Sequence, residues 1–213
     1  MSARNDIPPA LPESVSEAAP AAVPEAGDGR RMRSERSREQ IVEAMLALVR
    51  EGDMAPSAAR VAERASVALR TVFRHFEDMD SLYREMSARV ESRIMPQLLK
   101  PYEVGEWRAR LRELVARRAV INEQVLPLRL AGNLRRFQSA FLMEDYRRSL
   151  VLERSTLTAI LPKELSNDPI LFAALDMAVG FQGWLRLRQD QGLSAAEAEA
   201  VIAFTVERLT AGR

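Results

Sequence analysis

From Ser34 to Leu209 the large apolar residues recur every third or fourth position, and no stretch shows the apolar–polar alternation of a half-buried strand. A chain with that single period can bury its apolar surface only by packing helix on helix, so the predicted fold class is all-α, with about nine helices. One stripe comprises Ile41, Ala44, Met45, Leu48 and Val49, and Gly52 stops it. Pro56 forces an extended approach to a second helix capped by Ser57, and a third is expected over about Ala68 to Phe76 with Phe73 and Phe76 turned to the core. Asp78 caps a fourth, roughly Met79 to Met95, and Pro96, Pro101 and Gly105 mark a boundary. Beyond it, Trp107, Leu111, Leu114, Val115 and Ile121 form one stripe, while Leu134, Phe137, Phe141, Leu142, Tyr146 and Leu150 form the next, which runs on to Pro162. Asn167, Asp168 and Pro169 open a helix that reaches Leu185, with Gly192 as its end. Ser194 and Glu197 form a capping box for the last helix.

Composition narrows the function. With 213 residues, 47% of them hydrophobic, the chain is large enough for one or two packed domains. It has no cysteine and one histidine, His75, so disulfides, thiolate metal sites and a cysteine nucleophile are excluded, and no metal or other cofactor is implied. No catalytic residue emerges either: there is no nucleophile paired with a base and no glycine loop for phosphate. The N-terminus has no apolar signal core and no run suits a membrane span, which points to the cytoplasm. Residues 1–33 read as a disordered tail, proline-rich and slightly acidic up to residue 29. The sign then reverses at Arg30, Arg31, Arg33, Arg36 and Arg38, which read either as a solvated linker or as an arm following a DNA backbone.

The stretch Ser57–Leu82 carries the most chemistry. Val61, Ala62 and Ala65 give a short helix, Ser66 sits where the chain turns, and Val67 fills the angle before a helix crowded with Leu69, Arg70, Thr71, Arg74 and His75. In order, Ser57, Val61-Ala62, Ala65-Ser66-Val67-Ala68, Thr71-Val72-Phe73, Phe76 and Asp78-Met79-Asp80-Ser81-Leu82 resemble the signature of TetR-family transcriptional regulators. Weaker support comes from Trp184-Leu185-Arg186-Leu187-Arg188 running into Gln191-Gly192-Leu193-Ser194. The resemblance implies a helix-turn-helix DNA-binding domain over 34–82, with its motif at 57–76, and a helical ligand-binding and dimerisation domain over 83–213. It also implies a homodimer through the last two helices on a palindromic double-stranded operator, released by a small-molecule effector.

On this resemblance the DNA contacts are Arg36, Ser57, Leu69, Arg70, Thr71, Phe73, Arg74 and His75. Arg70 suits a guanine edge and Leu69 a thymine methyl, while Arg74 and His75 suit phosphates. Four positions depart from the pattern. Ser66 replaces the turn glycine, Ala68 the capping serine, Phe73 a phosphate-binding tyrosine and Met79 a lysine. A protein of the same fold with weakened or lost operator binding is therefore the competing reading. For the effector, Trp107, Phe137, Phe141, Phe172, Met177 and Phe181, with Asn133 and Tyr146 as polar anchors, are the candidate lining, though a packed core uses the same residue types. Arg135-Arg136 and Arg147-Arg148 either face an acidic ligand or solvate a surface. Leu171, Leu175, Ala178, Val201, Thr205 and Leu209 are expected to serve core and dimer together.

Overall fold

The computed structural model describes residues 26–103 and 105–213, so most of the expected disordered tail lies outside the described residues. Among them are ten α-helices and one π-helical segment: α1 (Ala26–Arg50), α2 (Ala58–Arg64), α3 (Leu69–His75), α4 (Met79–Leu98), α5 (Trp107–Arg135), α6 (Ala140–Thr158), α7 (Lys163–Ser166), α8 (Pro169–Val179), α9 (Phe181–Leu185), the π segment Arg186–Asp190, and α10 (Ala195–Thr210). The chain divides into two units, residues 1–35 and 36–213. In the first, Arg30, Arg31 and Arg33 belong to a helix where a basic arm was expected. Arg31 pairs with Glu35 one turn on, at 3.1 Å, a spacing that favours helix in this charged stretch.

Within residues 36–213, one core joins Ile41, Met45 and Val49 of α1 to Val61, Val72, Phe76 and Leu82, and also takes in Leu128 and Leu142 from later helices. A second core packs Leu114 and Val115 of α5 against Leu157, Phe172, Leu175, Trp184 and Ile202. Each such fully buried side chain contributes about 1.5–3 kcal/mol of hydrophobic free energy. The boundary expected at residue 82 falls inside α4, which buries Leu82, Tyr83 and Met86 in the first core and then lays Val90 and Ile94 against Ile121 and Phe181. No single helix among the described residues is long and apolar enough to cross a membrane.

Several expected caps are present. The Ser57, Asp78 and Ser194 side chains accept from backbone N–H groups of Arg60, Ser81 and Glu197, and the last two are full capping boxes. Asp168 caps α8 with Pro169 in its first turn. Other boundaries moved. Pro96 lies within the last turn of α4, where its missing N–H leaves the Ser92 carbonyl without its helical donor, and α5 runs on to Arg135 before Ser139, whose side chain accepts from Leu142 N, caps α6. The helix expected from Pro169 to Leu185 breaks at Gly180. A Cβ there would sit 2.8 Å from the Asp176 carbonyl oxygen, and one at Gly183 2.7 Å from that of Met177, so only glycine permits this approach.

The turn between α2 and α3 is a Schellman motif: Val67 N–H donates to Ala62 O and Ser66 N–H to Glu63 O, both at 3.0 Å. Ser66 holds the left-handed position, with φ 54°, and is the one non-glycine residue there among the described residues. Ala68 caps α3 with no side-chain hydrogen bond. Ser66→Gly is therefore expected to raise stability by about 1 kcal/mol, read as a higher urea midpoint at unchanged slope. An unchanged or lowered midpoint would refute strain at this turn.

Candidate functional site

The seven residues of α3 bury Val72 and present Leu69, Arg70, Phe73 and Arg74 outward, two pairs one turn apart on the same face. Phe73 is therefore not the core residue that its spacing from Phe76 suggested: it is 50% exposed and Leu69 44%, whereas Phe76 is 2% exposed. The neighbouring helices cover the face of Val72 and the Phe76 that follows α3, which leaves Phe73 on the open face. Large apolar groups exposed on so short a helix suit contact with a partner surface.

The charges there are uncommitted. Arg60, Arg89 and Arg93 each hold a carboxylate at 3.0–3.1 Å, and Arg64 holds Glu51, but Arg70 and Arg74 are exposed and have no ion pair among the described residues. Arg36 is likewise exposed and unpaired among the described residues. Arg38, grouped by sequence with the basic arm, is instead an internal clamp. It donates to His75 O and to Glu85 Oε2, both at 2.9 Å, and lies over the Phe76 ring at 4.5 Å. Its charge is spent joining α1 to the end of α3 and to α4. Ser57 is exposed but its oxygen is occupied as a cap, and Thr71 is half-buried.

His75 does not project outward as Arg74 does. The residue is half-buried and its Nε2 is enclosed with no hydrogen-bond partner, which disagrees with a phosphate contact through that atom. Burial lowers its pKa below the usual 6.5, with Arg74 and Arg38 adding repulsion. The imidazole is thus neutral at pH 7. Because the folded pKa is the lower one, the unfolded chain takes up the proton first, so stability falls as pH drops below about 6.5. Thermal unfolding is expected to shift down between pH 7 and about 5.5, and His75→Gln to flatten that shift; an equal slope in the variant would assign the effect elsewhere.

A second feature is a cavity of about 460 Å³ bounded by α4, α5, α6 and the start of α9. Of the eight residues expected to line a ligand site, Asn133, Tyr146 and Phe181 do so. Trp107 and Phe172 pack in the second core, Phe141 against the first, and Phe137 and Met177 are 76% and 73% exposed. The break of α5 at residue 136 puts Phe137 in a connecting turn, and Met177 lies on the outer face of α8. Missed by sequence reasoning were Arg118 and Asn122 of α5, both buried in the cavity wall, since a polar residue amid an apolar stripe looks like a solvated position until neighbouring helices close over it. One arginine of each pair is committed: Arg136 bonds Asn133 Oδ1 at 2.8 Å and stacks on Tyr146, and Arg148 bonds Asp145 at 2.6 Å and Glu91 at 3.2 Å.

Leu171 and Leu175 are buried within the chain itself. The unburied apolar faces are Ile170, Ala173 and Met177 on α8 and Val201 and Phe204 on α10, with Ile170 83% and Phe204 58% exposed. Among the described residues no group of three His, Asp or Glu side chains is placed to hold a metal ion.

No family model matches the sequence, and no curated protein matches it either. Two solved structures share the fold. A transcriptional regulator from Rhodococcus sp. Rha1, 19% identical, superposes with a TM-score of 0.67 over 83% of this chain and 97% of its own. A TetR-family transcriptional regulator from Haemophilus influenzae, 23% identical, superposes with a TM-score of 0.51 over 82% of this chain and 97% of its own.

Proposed function

From a fold shared with TetR-family regulators, we propose that this chain is a sequence-specific DNA-binding regulator of transcription, a homodimer on a palindromic operator and a repressor released by a small molecule. The observation that carries the reading is the outer face of α3, where two arginines without ion pairs and two exposed apolar side chains stand together on a helix, an element whose width the major groove admits. Arg70 and Leu69 serve base edges, Arg74 and Arg36 phosphates, and the Phe73 ring packs against the sugar-phosphate wall where a hydroxyl is absent. One α3 makes a small interface, so a second copy is needed for useful discrimination. The exposed stripes of α8 and α10 supply a self-complementary apolar surface for it.

The effector role falls to the cavity, because α4 borders both it and the core that holds α3. A second link is Ser139, the cap of α6, which donates to Asp80 in the first turn of α4 at 2.7 Å. A ligand that spreads α4 from α6 therefore acts on the element that positions α3. Footprinting of the purified protein on the DNA flanking its own gene tests the reading, with light scattering for mass. A two-fold symmetric protected site and a dimer are expected. Weak, sequence-independent binding abolished by modest salt would favour instead an interaction protein of the same fold, and a monomer at micromolar concentration would refute the dimer.

A further inference from the structure

Three helices run beside the cavity: α4 from Met86 to Leu98, α5 from Arg118 to Asn133 and α6 from Leu142 to Thr156. At the rise of an α-helix these spans make it about 20 Å long. Its volume of about 460 Å³ is that of a pocket for a small-molecule ligand. Val90, Ile94, Ile121, Val125, Leu152 and Phe181 make the middle of its wall apolar.

The charged groups in that wall are unequal. Arg129 is bonded to Glu153 at 2.5 Å, and Arg148 to Asp145 and Glu91, so every carboxylate lining the cavity already has its arginine. Arg118 is different. It is 6% exposed, and its donors reach only neutral acceptors: Val179 O at 3.0 Å, Glu153 O at 2.5 Å and Thr156 Oγ1 at 2.8 Å. No carboxylate lies within ion-pair distance of it among the described residues. One turn along α5, Asn122 is also 6% exposed and lines the cavity, and its amide has no hydrogen-bond partner among the described residues. A buried cation with no ion pair, beside a buried amide in the same apolar wall, leaves polar groups there for a ligand to match. An anionic acceptor placed against both would do so, with a planar carboxylate matching the guanidinium best.

We propose that the cavity binds an elongated apolar acid, a carboxylate whose head meets Arg118 and Asn122 and whose tail lies along the apolar wall. The inference rests on reading the cavity as the effector site, and it adds the chemical class. Burial discourages the guanidinium charge of Arg118, the Glu153 and Asp176 carboxylates offset part of that, and a carboxylate in direct contact would offset more.

Calorimetric titration of the full chain without DNA tests this, using dodecanoate, dodecanol and dodecylammonium below their aggregation concentrations. Dodecanoate is expected to saturate at one per chain and to bind at least about tenfold tighter than dodecanol, with dodecylammonium weakest. Asn122→Asp, which gives Arg118 an internal carboxylate, is expected to remove the preference for the acid while dodecanol binding persists. Arg118→Gln is the harsher arm, because Arg118 also holds the Val179 carbonyl; the ligand series on the unaltered chain decides the question whether or not that variant folds. Dodecanol binding as tightly as dodecanoate, a preference for dodecylammonium, or no binding by any of the three would overturn the proposal. A mobility shift on the footprinted fragment separates the two readings. Dodecanoate that binds yet leaves the DNA complex intact supports the ligand class and removes the effector role, whereas release by another compound with dodecanoate inert removes the class alone.

Discussion

Replacing both Arg70 and Arg74 with alanine is expected to weaken operator binding by about a hundredfold or more at fixed salt, with no change in the unfolding midpoint. The two halves of that expectation have separate causes. Neither side chain has an ion pair among the described residues and both are exposed, so truncation leaves no buried group unmatched. A guanidinium bidentate to guanine is worth about 1–3 kcal/mol, and a symmetric dimer uses it twice. The single variants should differ in kind. Arg70→Ala is expected to relax base preference at one position of each half-site, whereas Arg74→Ala weakens all sequences alike and lowers the salt slope by about one for every phosphate left without its arginine. Unchanged affinity in the double variant would remove α3 as the reading helix. The same weakening accompanied by a lower unfolding midpoint would mean that these arginines support the fold.

Why this face was legible, and the cavity much less so, follows from the range of the forces involved. Ser57, Asp78, Ser194 and Asp168 act on backbone groups two or three residues away, so their sequence context alone determines what they do. The strain at Ser66 is local in the same sense, since the Schellman turn demands a left-handed residue whatever surrounds it. Phe73 shows where local reasoning ends. Its spacing from Phe76 suits a core face, but which face of α3 is covered depends on α1 and α4, and those helices reach Val72 and Phe76 only.

The cavity depends wholly on such distant packing. Trp107 and Phe172 have the size and polarity of ligand-lining residues, yet Phe172 is enclosed in the second core and Trp107 packs half-buried against it. Arg118 and Asn122 lie on the same α5, and only the packing of distant α6 and of the chain around Gly180 puts them in a cavity wall. Arg38 has the same history, as its partners His75 and Glu85 are 37 and 47 residues away in sequence. A basic side chain in the sequence carries no mark of whether its partner is a phosphate outside or a carboxylate inside.

Trp184→Ala is expected to cost about 3–5 kcal/mol, a large share of the roughly 5–15 kcal/mol that holds a typical domain together. The indole is fully buried in the second core, where α5, α8 and α10 meet, so no single helix can move inward to fill the space it leaves. Its Nε1 also donates to Glu123 Oε1 at 2.9 Å. That carboxylate would not be orphaned by the change, because Arg188 holds it at 2.8 and 3.0 Å, and this pairing keeps its pKa below the usual carboxylate range. The cost is therefore mainly one of volume. Trp184→Phe, which keeps most of the volume and drops the donor, is expected to cost only about 1–2 kcal/mol. Urea unfolding at several protein concentrations separates this core effect from dimer dissociation, since only the latter moves the midpoint with concentration. Equal costs for the two variants would shift the weight from packing to the Glu123 bond. A cost in the alanine variant that vanishes at high protein concentration would place Trp184 in support of the proposed α8–α10 dimer face rather than of the monomer core.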